Sequence, residues 1–116
     1  MQFTFLMFIR IVICAVTMGF GALSIISPQI AERFTGLNTE DPRGISEIRA
    51  VLGGLFFGLG LAGLIFHTGH AFGTVGVGYL MIAAVRGGSI FFDKAATTSN
   101  WISLATEVVF GILLLI

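Results

Sequence analysis

The sequence predicts an all-α fold, an integral membrane bundle of four helices. Of its 116 residues, 56% are hydrophobic and only 10% are charged, whereas soluble domains carry about 25% charged residues. The apolar residues also form four runs, each long enough as a helix to cross most of a ~30 Å hydrocarbon core. We therefore expect a single transmembrane domain over residues 1–116, with spans at about 3–26, 43–66, 71–92 and 99–116.

Several function classes find no support in the composition. The formal net charge is zero, so no basic field would attract nucleic acid. Cys14 is the single cysteine, which excludes an intramolecular disulfide, and it lies inside an apolar run. His67 and His70 have no cysteine or carboxylate near them in sequence, so a metal site is not indicated. No nucleophile–base pair or cofactor motif indicates a catalytic residue, and no resident cofactor is predicted.

The first span contains one charge, Arg10, and Pro28 should end or kink its helix. A charge inside the apolar run, and the length of that run, argue against a cleaved signal peptide. Residues 28–43 form the longest polar segment and should contain a short amphipathic turn on the membrane surface. Asp41 followed by Pro42 is typical of a helix start, with the aspartate as N-cap.

The second span opens with two charges, Glu47 and Arg49. At ~100° per residue, a stripe of small residues shares the Glu47 face. This stripe consists of Ala50, Gly54, Gly58 and Ala62. Small residues at this spacing let neighbouring helices approach closely in lipid. Arg49 points to nearly the opposite face, which it shares with Gly53, Phe56 and Gly60. Small residues on two faces predict a helix that is flanked by other helices.

The third and fourth spans carry the remaining intramembrane charges. The third follows a short turn at residues 67–70 and contains Tyr79 and Arg86; a loop beginning at Asp93 follows it. The fourth has Trp101 near its start, as is common at a membrane interface, and Glu107 in its middle. Asn100 lies on the same helical stripe as Glu107.

Charges within the spans predict a polar network between the helices. A charge near the bilayer centre costs at least ~2.5–3.5 kcal/mol, so it normally faces the bundle interior and finds a partner. The estimated depth of each charge in the membrane favours an ion pair between Arg86 and Glu107, for which Arg10 competes. Glu47 is a second candidate acceptor for Arg86. Arg49 either extends its side chain to the membrane surface or pairs with Asp93. The predicted network is Arg10, Glu47, Arg49, Tyr79, Arg86, Asp93 and Glu107. Such a network either fixes helix register or lines a functional pocket.

Loop charges predict the orientation. Arg33, Arg43 and Lys94 lie in loops 27–43 and 93–98, on the side opposite both termini. The positive-inside rule places these loops in the cytoplasm and the termini outside.

The stretches SEIRAVLGG at 46–54 and RGGSIFFD at 86–93, followed by Glu107 in mid-helix, carry a resemblance that covers nearly the whole chain. They resemble an uncharacterised bacterial family of small four-helix membrane proteins, catalogued as a domain of unknown function. The chain is more distantly similar to DoxX-like proteins, some of which are associated with quinone or thiosulfate oxidation. The resemblance implies a bacterial inner-membrane protein without an established activity. It also implies a polar signature of Glu47, Arg49, Arg86, Asp93 and Glu107, in which Arg10 is not placed.

Three functions remain open at this point. The first is an accessory or scaffold subunit that packs through its glycine-rich faces, against itself or within a larger membrane complex. The second is a pocket for a quinone, a lipid or another lipophile, anchored by Arg86 and Glu107. The third is a transporter of a small anion that is attracted by Arg10, Arg49 and Arg86.

Overall fold

The computed structural model describes residues 4–116 of the chain. Helices hold 86% of these residues and none of them lies in a strand, which confirms the all-α class. Five helices follow one another in the described part of the chain: α1 (Phe5–Ile26), α2 (Pro28–Thr35), α3 (Pro42–Phe66), α4 (Gly69–Phe92) and α5 (Thr98–Leu115).

Four of these helices, α1, α3, α4 and α5, are long and apolar enough to cross a membrane. Their bounds agree with the predicted spans to within two residues wherever the chain is described. Residue 3, where the first predicted span begins, lies outside the described residues. The apolar runs predicted these helices because backbone N–H and C=O groups in hydrocarbon must hydrogen-bond to each other, and a helix achieves this within one segment.

Local signals set the bounds of the short helix α2 and the start of α3. α1 ends at Ile26, and Pro28 occupies the first turn of α2, where its missing N–H is not needed. α2 ends at Thr35 and is capped by Gly36, whose φ is 76° and whose backbone N–H donates to the carbonyl oxygen of Glu32. Asp41 is the N-cap of α3, as predicted: its side chain accepts a hydrogen bond from the backbone N–H of Arg43 at 3.2 Å.

The chain divides into two compact units. One unit contains the described residues up to Arg10 together with His67–Ile116, and therefore holds α4 and α5. The other contains Ile11–Phe66, and therefore holds α2, α3 and most of α1.

Within the Ile11–Phe66 unit, glycines bring the backbones of α1 and α3 into close contact. A Cβ added to Gly21 of α1 would lie 2.7 Å from the carbonyl oxygen of Gly53. A Cβ added to Gly60 of α3 would lie 2.5 Å from the carbonyl oxygen of Cys14. Both distances are far below ordinary contact, so only glycine fits at these positions.

Within the other unit, α4 and α5 form a helical hairpin that is also packed through glycine. A Cβ on Gly76 would lie 3.0 Å from the carbonyl oxygen of Gly111, and one on Gly111 would lie 2.5 Å from Leu80. The ring of Tyr79 packs edge-on against Phe110, with 5.5 Å between the ring centroids. This packing fixes the register in which polar residues of the two helices meet.

The predicted packing stripe on α3 does not pack against another helix of the Ile11–Phe66 unit. Of its four residues, Ala50, Gly54 and Gly58 are exposed and Ala62 is half-buried, and a Cβ on Gly58 would meet nothing within 4 Å. The buried residues of α3 are Ile48, Gly53, Gly60 and Gly63.

The other predicted stripe, on the Arg49 side, supplies the contact with α1. Gly53 and Gly60 of this stripe are buried, although Arg49 itself is exposed. The helix type also changes inside α3: residues Ile48–Leu55 form a π-helix, whose i→i+5 hydrogen bonds wind more residues into each turn than the 3.6 of an α-helix. Ile48 and Gly53, five residues apart in this segment, are both buried.

Candidate functional site

The central feature of the α4–α5 hairpin is an ion pair between Arg86 of α4 and Glu107 of α5. Nε of Arg86 donates to Oε1 and Oε2 of Glu107 at 2.8 and 3.1 Å, and Nη2 donates to Oε2 at 2.7 Å. The guanidinium therefore binds the carboxylate in the bidentate geometry that makes such pairs strong and directional. The predicted Arg86–Glu107 pair is confirmed.

Asn100 is the third member of this cluster, and the predicted network did not include it. Its Oδ1 accepts from Nη1 of Arg86 at 2.7 Å, and its Nδ2 donates to the carbonyl oxygen of Ala95 at 2.9 Å. Thr97, the N-cap of α5, accepts from the backbone N–H of Asn100 at 3.2 Å. The start of α5 thus holds Asn100 in place. Asn100 lies on the same helical stripe as Glu107, and this position was the sequence feature that could have predicted its role.

The two charges of the pair differ in exposure. Only 11% of the Glu107 side chain is exposed, against 31% of the Arg86 side chain. Arg86 has five N–H donors, and its hydrogen bonds to other described residues use three of them. One N–H on Nη1 and one on Nη2 therefore have no protein partner in residues 4–116.

A groove of about 520 Å³ runs beside the exposed edge of Arg86. Its apolar wall consists of Met81, Ile82 and Val85, and Arg86, Ser89 and Asn100 supply its polar end. This volume falls within the range of small-molecule sites, which are mostly apolar with a few polar groups. The groove therefore has the size and the lining of a site for a molecule that is largely apolar with a polar head.

Comparison with known proteins gives a family but no activity. A family model described as a domain of unknown function, DUF4345, matches residues 5–116. The chain belongs to the DUF4345 family. No curated protein and no solved structure matches it. The resemblance to an uncharacterised family that the sequence indicated is thus confirmed.

Arg10 of this DUF4345 chain does not take the predicted role of competing for Glu107. Its Nε donates to the carbonyl oxygen of Leu113 at 3.3 Å, and its guanidinium carbon lies 6.0 Å from the centroid of the Phe72 ring. Leu113 lies in the last turn of α5, where carbonyl groups lack a helical partner and the helix dipole favours a cation. The carboxylate of Glu107 is already occupied by Arg86.

Two other predicted residues bind locally. Glu47 accepts from Arg43, four residues earlier on α3, with Nη2 at 3.1 Å, instead of from Arg86 as predicted. Asp93 accepts a hydrogen bond from the hydroxyl of Ser89 at 2.6 Å. Since Ser89 lines the groove, Asp93 orients a groove residue without lining the groove itself.

The remaining predicted residues differ in burial. Arg49 is exposed, and Tyr79 is buried against Phe110. His67 and His70 are exposed. In the part of the family domain that the structure describes, no group of three His, Cys, Asp or Glu residues is placed to hold a metal ion.

Proposed function

We propose that this DUF4345 chain binds a lipophilic molecule with a hydrogen-bond-accepting head group, of the quinone class, in the groove beside Arg86. The observation that carries the proposal is the partly exposed guanidinium at the polar end of an apolar groove. Its two unused N–H groups point to a ligand whose head accepts hydrogen bonds.

The charges at the site favour a neutral head group over an anion. Arg86 is paired with Glu107 in a bidentate contact, so the pair as a whole is formally neutral. A neutral acceptor such as a carbonyl gains the hydrogen bonds without leaving an unbalanced charge in hydrocarbon. For the same reason anion transport, the third function considered above, has the least support: the best-placed arginine is already neutralised.

The apolar wall of the groove favours a ligand with a hydrocarbon body. Met81 and Val85 are exposed at the rim of the groove, on a helix apolar enough to span a membrane. A molecule dissolved in the bilayer would thus reach the groove from the side. A quinone combines carbonyl acceptors with an apolar tail, which matches both ends of this groove.

Tryptophan fluorescence offers a direct test, because Trp101 is the single tryptophan of the chain and follows Asn100. We would titrate the purified protein in detergent with a benzoquinone that carries an alkyl chain, and measure the quenching of Trp101. Saturable quenching is expected. Arg86→Lys should weaken binding about tenfold, the effect of losing one hydrogen bond of ~1.4 kcal/mol.

A matched pair of valines on α4 separates the groove from the rest of the surface. Val85 lines the groove and is 69% exposed, whereas Val77 does not line it and is 52% exposed. Val85→Phe should fill the groove and abolish saturable quenching, whereas Val77→Phe should leave it unchanged. Equal affinity of both variants, or quenching that never saturates, would contradict the proposal.

The second candidate function is a scaffold or accessory subunit, and the exposed small-residue face of α3 favours it. Ala50, Gly54 and Gly58 are exposed, and Gly54 and Gly58 leave room for the backbone of another helix. Gly58→Leu should then lower the mass of the complex recovered by native mass spectrometry after gentle extraction. Gly78→Leu, at another open glycine on α4, is the control, and an unchanged mass for Gly58→Leu would exclude this role for the face.

A further inference from the structure

A second groove, of about 410 Å³, lies in the Ile11–Phe66 unit where α3 begins. Its apolar part includes Leu37, Val51 and Leu52, and its polar part includes Asn38 and Glu47. It belongs to the other unit and shares no residue with the groove beside Arg86.

Two local features shape this groove. Gly44 lets α3 pass directly beside the loop that precedes it, since a Cβ at Gly44 would collide with the carbonyl oxygen of Asn38. The π-helical segment Ile48–Leu55 then supplies the floor through Ile48, Val51 and Leu52. π-helical turns are rare and frequently occur at functional sites.

The polar atoms at this groove offer one anionic acceptor and several donors. Oε1 of Glu47 accepts from Nε and Nη2 of Arg43 at 3.3 and 3.1 Å, while Oε2 accepts from no residue in the described range 4–116. Oδ1 of Asn38 accepts from the backbone N–H of Glu40 at 2.7 Å, which leaves its amide N–H groups for a ligand. A ligand that fits must therefore present both a donor cation and an acceptor.

The position of Glu47 along α3 sets the membrane depth of the groove. Phe66, the last residue of α3, lies nineteen positions after Glu47, which is at most about 28 Å at the α-helical rise of ~1.5 Å per residue. This length is close to the ~30 Å hydrocarbon thickness. A crossing that begins at Phe66 would therefore bring Glu47 to the level where hydrocarbon meets the head groups, with Val51 and Leu52 on the hydrocarbon side.

The local charge balance argues against an anionic head group. Three arginines in residues 28–49 are outnumbered by four carboxylates: the charged residues are Glu32, Arg33, Glu40, Asp41, Arg43, Glu47 and Arg49. Sites for anionic lipid are typically marked by clusters of basic residues. A head group with a cation beside a phosphate matches the adjacent carboxylate and guanidinium of Glu47 and Arg43.

We propose that this groove is a specific site for a phosphatidylethanolamine. The primary ammonium donates to Oε2 of Glu47, and oxygen atoms of the phosphate or the ester accept from Asn38 and from Arg43, which does not line the groove but is paired with Glu47. One acyl chain lies along Val51 and Leu52. The site selects this head group over phosphatidylcholine because a quaternary ammonium carries the same charge but no N–H donor.

Native mass spectrometry of the full chain tests this proposal. The protein would be reconstituted in bilayers with equal amounts of phosphatidylethanolamine, phosphatidylcholine and phosphatidylglycerol, and the retained lipids would be counted. We expect phosphatidylethanolamine to be enriched over phosphatidylcholine about fivefold, which corresponds to ~1 kcal/mol. Equal retention of these two lipids, or enrichment of phosphatidylglycerol instead, would overturn the proposal.

Two isosteric variants locate the site. Glu47→Gln removes the charge that holds the ammonium, and should bring the ratio of phosphatidylethanolamine to phosphatidylcholine close to one. Glu40→Gln makes the same change at an exposed residue of the loop before α3 that does not line the groove, and should keep the wild-type ratio. Because the Arg43–Glu47 pair is exposed, both variants should fold, as circular dichroism would verify. A Glu47→Gln protein that folds and keeps the wild-type ratio would refute the site.

Discussion

A Cβ on Gly60 of α3 would lie 2.5 Å from the carbonyl oxygen of Cys14 and 2.6 Å from the backbone nitrogen of Met18, both on α1. The two helices therefore touch backbone to backbone at this point. Lipid tails are as apolar as the side chains, so helices in a bilayer associate through close packing instead of by expelling water. The Gly60 contact is thus a place where one added carbon atom changes the stability of the unit.

We expect Gly60→Ala to destabilise the protein by about 1–3 kcal/mol, because the added methyl group must push two backbones apart. Gly58→Ala, two residues earlier, should be neutral or stabilising by up to ~1 kcal/mol. Its Cβ meets nothing within 4 Å, and alanine is the better helix former. Thermal unfolding in detergent, followed by circular dichroism, measures both changes. Equal effects of the two substitutions would contradict the packing described for α1 and α3.

The Arg86–Glu107 pair gives a second prediction. Removing one partner of a buried ion pair costs ~3–5 kcal/mol because the other charge is left uncompensated. Since Glu107 is more buried than Arg86, Arg86→Met, which strands the carboxylate, should cost more than Glu107→Leu, which strands the arginine. The ranking is measured by chemical unfolding in mixed micelles.

The double variant Arg86→Met/Glu107→Leu is the control for this pair. It removes both charges together, so its stability should recover to near the wild-type value or above it. The same variant should still lose saturable quenching by the quinone probe, since the donors of Arg86 are gone. If the double variant is less stable than either single variant, the pair does not act as a unit.

Hydropathy and depth predicted much of this architecture, for physical reasons that act locally. The four spans follow from runs of apolar residues, and the α3 cap follows from Asp41 before Pro42. The Arg86–Glu107 pair followed from depth, because a charge in hydrocarbon seeks an opposite charge at its own level. Each of these inferences uses residues that are close in sequence or equal in depth.

The inferences that failed concerned the choice between two helix faces and the partner of Arg10. Both faces of α3 carry small residues, and the contact with α1 uses Gly53 and Gly60 instead of Gly54 and Gly58. The predicted partner of Arg10, the carboxylate of Glu107, was wrong. The acceptor is a main-chain carbonyl, that of Leu113, in the last turn of α5, and every helix C-terminus offers such groups.

A third prediction concerns the cap that positions Asn100. The side chain of Thr97 accepts from the backbone N–H of Asn100, whose own side chain accepts from Arg86. Thr97→Ala should cost about 1 kcal/mol of stability, the usual value of an N-cap, and should also weaken the binding of the quinone probe. Thr98→Ala, at the next residue, is the control because its side chain is not the cap. Unfolding midpoints and Trp101 quenching measure the two effects, and equal losses for both threonines would refute the role of the cap.

The fourth prediction is the orientation of the chain, for which we propose that the termini and the turn at His67–His70 lie outside a bacterial inner membrane. Four crossings would bring Arg33, Arg43 and Lys94 together on the opposite side, which the positive-inside rule assigns to the cytoplasm. Cys14 is buried, so a cysteine introduced at an exposed loop position would be the main target of a membrane-impermeant maleimide. His70→Cys should be labelled in intact cells, whereas Lys94→Cys should be labelled only after the membrane is permeabilised. The reverse pattern would invert the topology, and labelling of both positions in intact cells would contradict a crossing by α4.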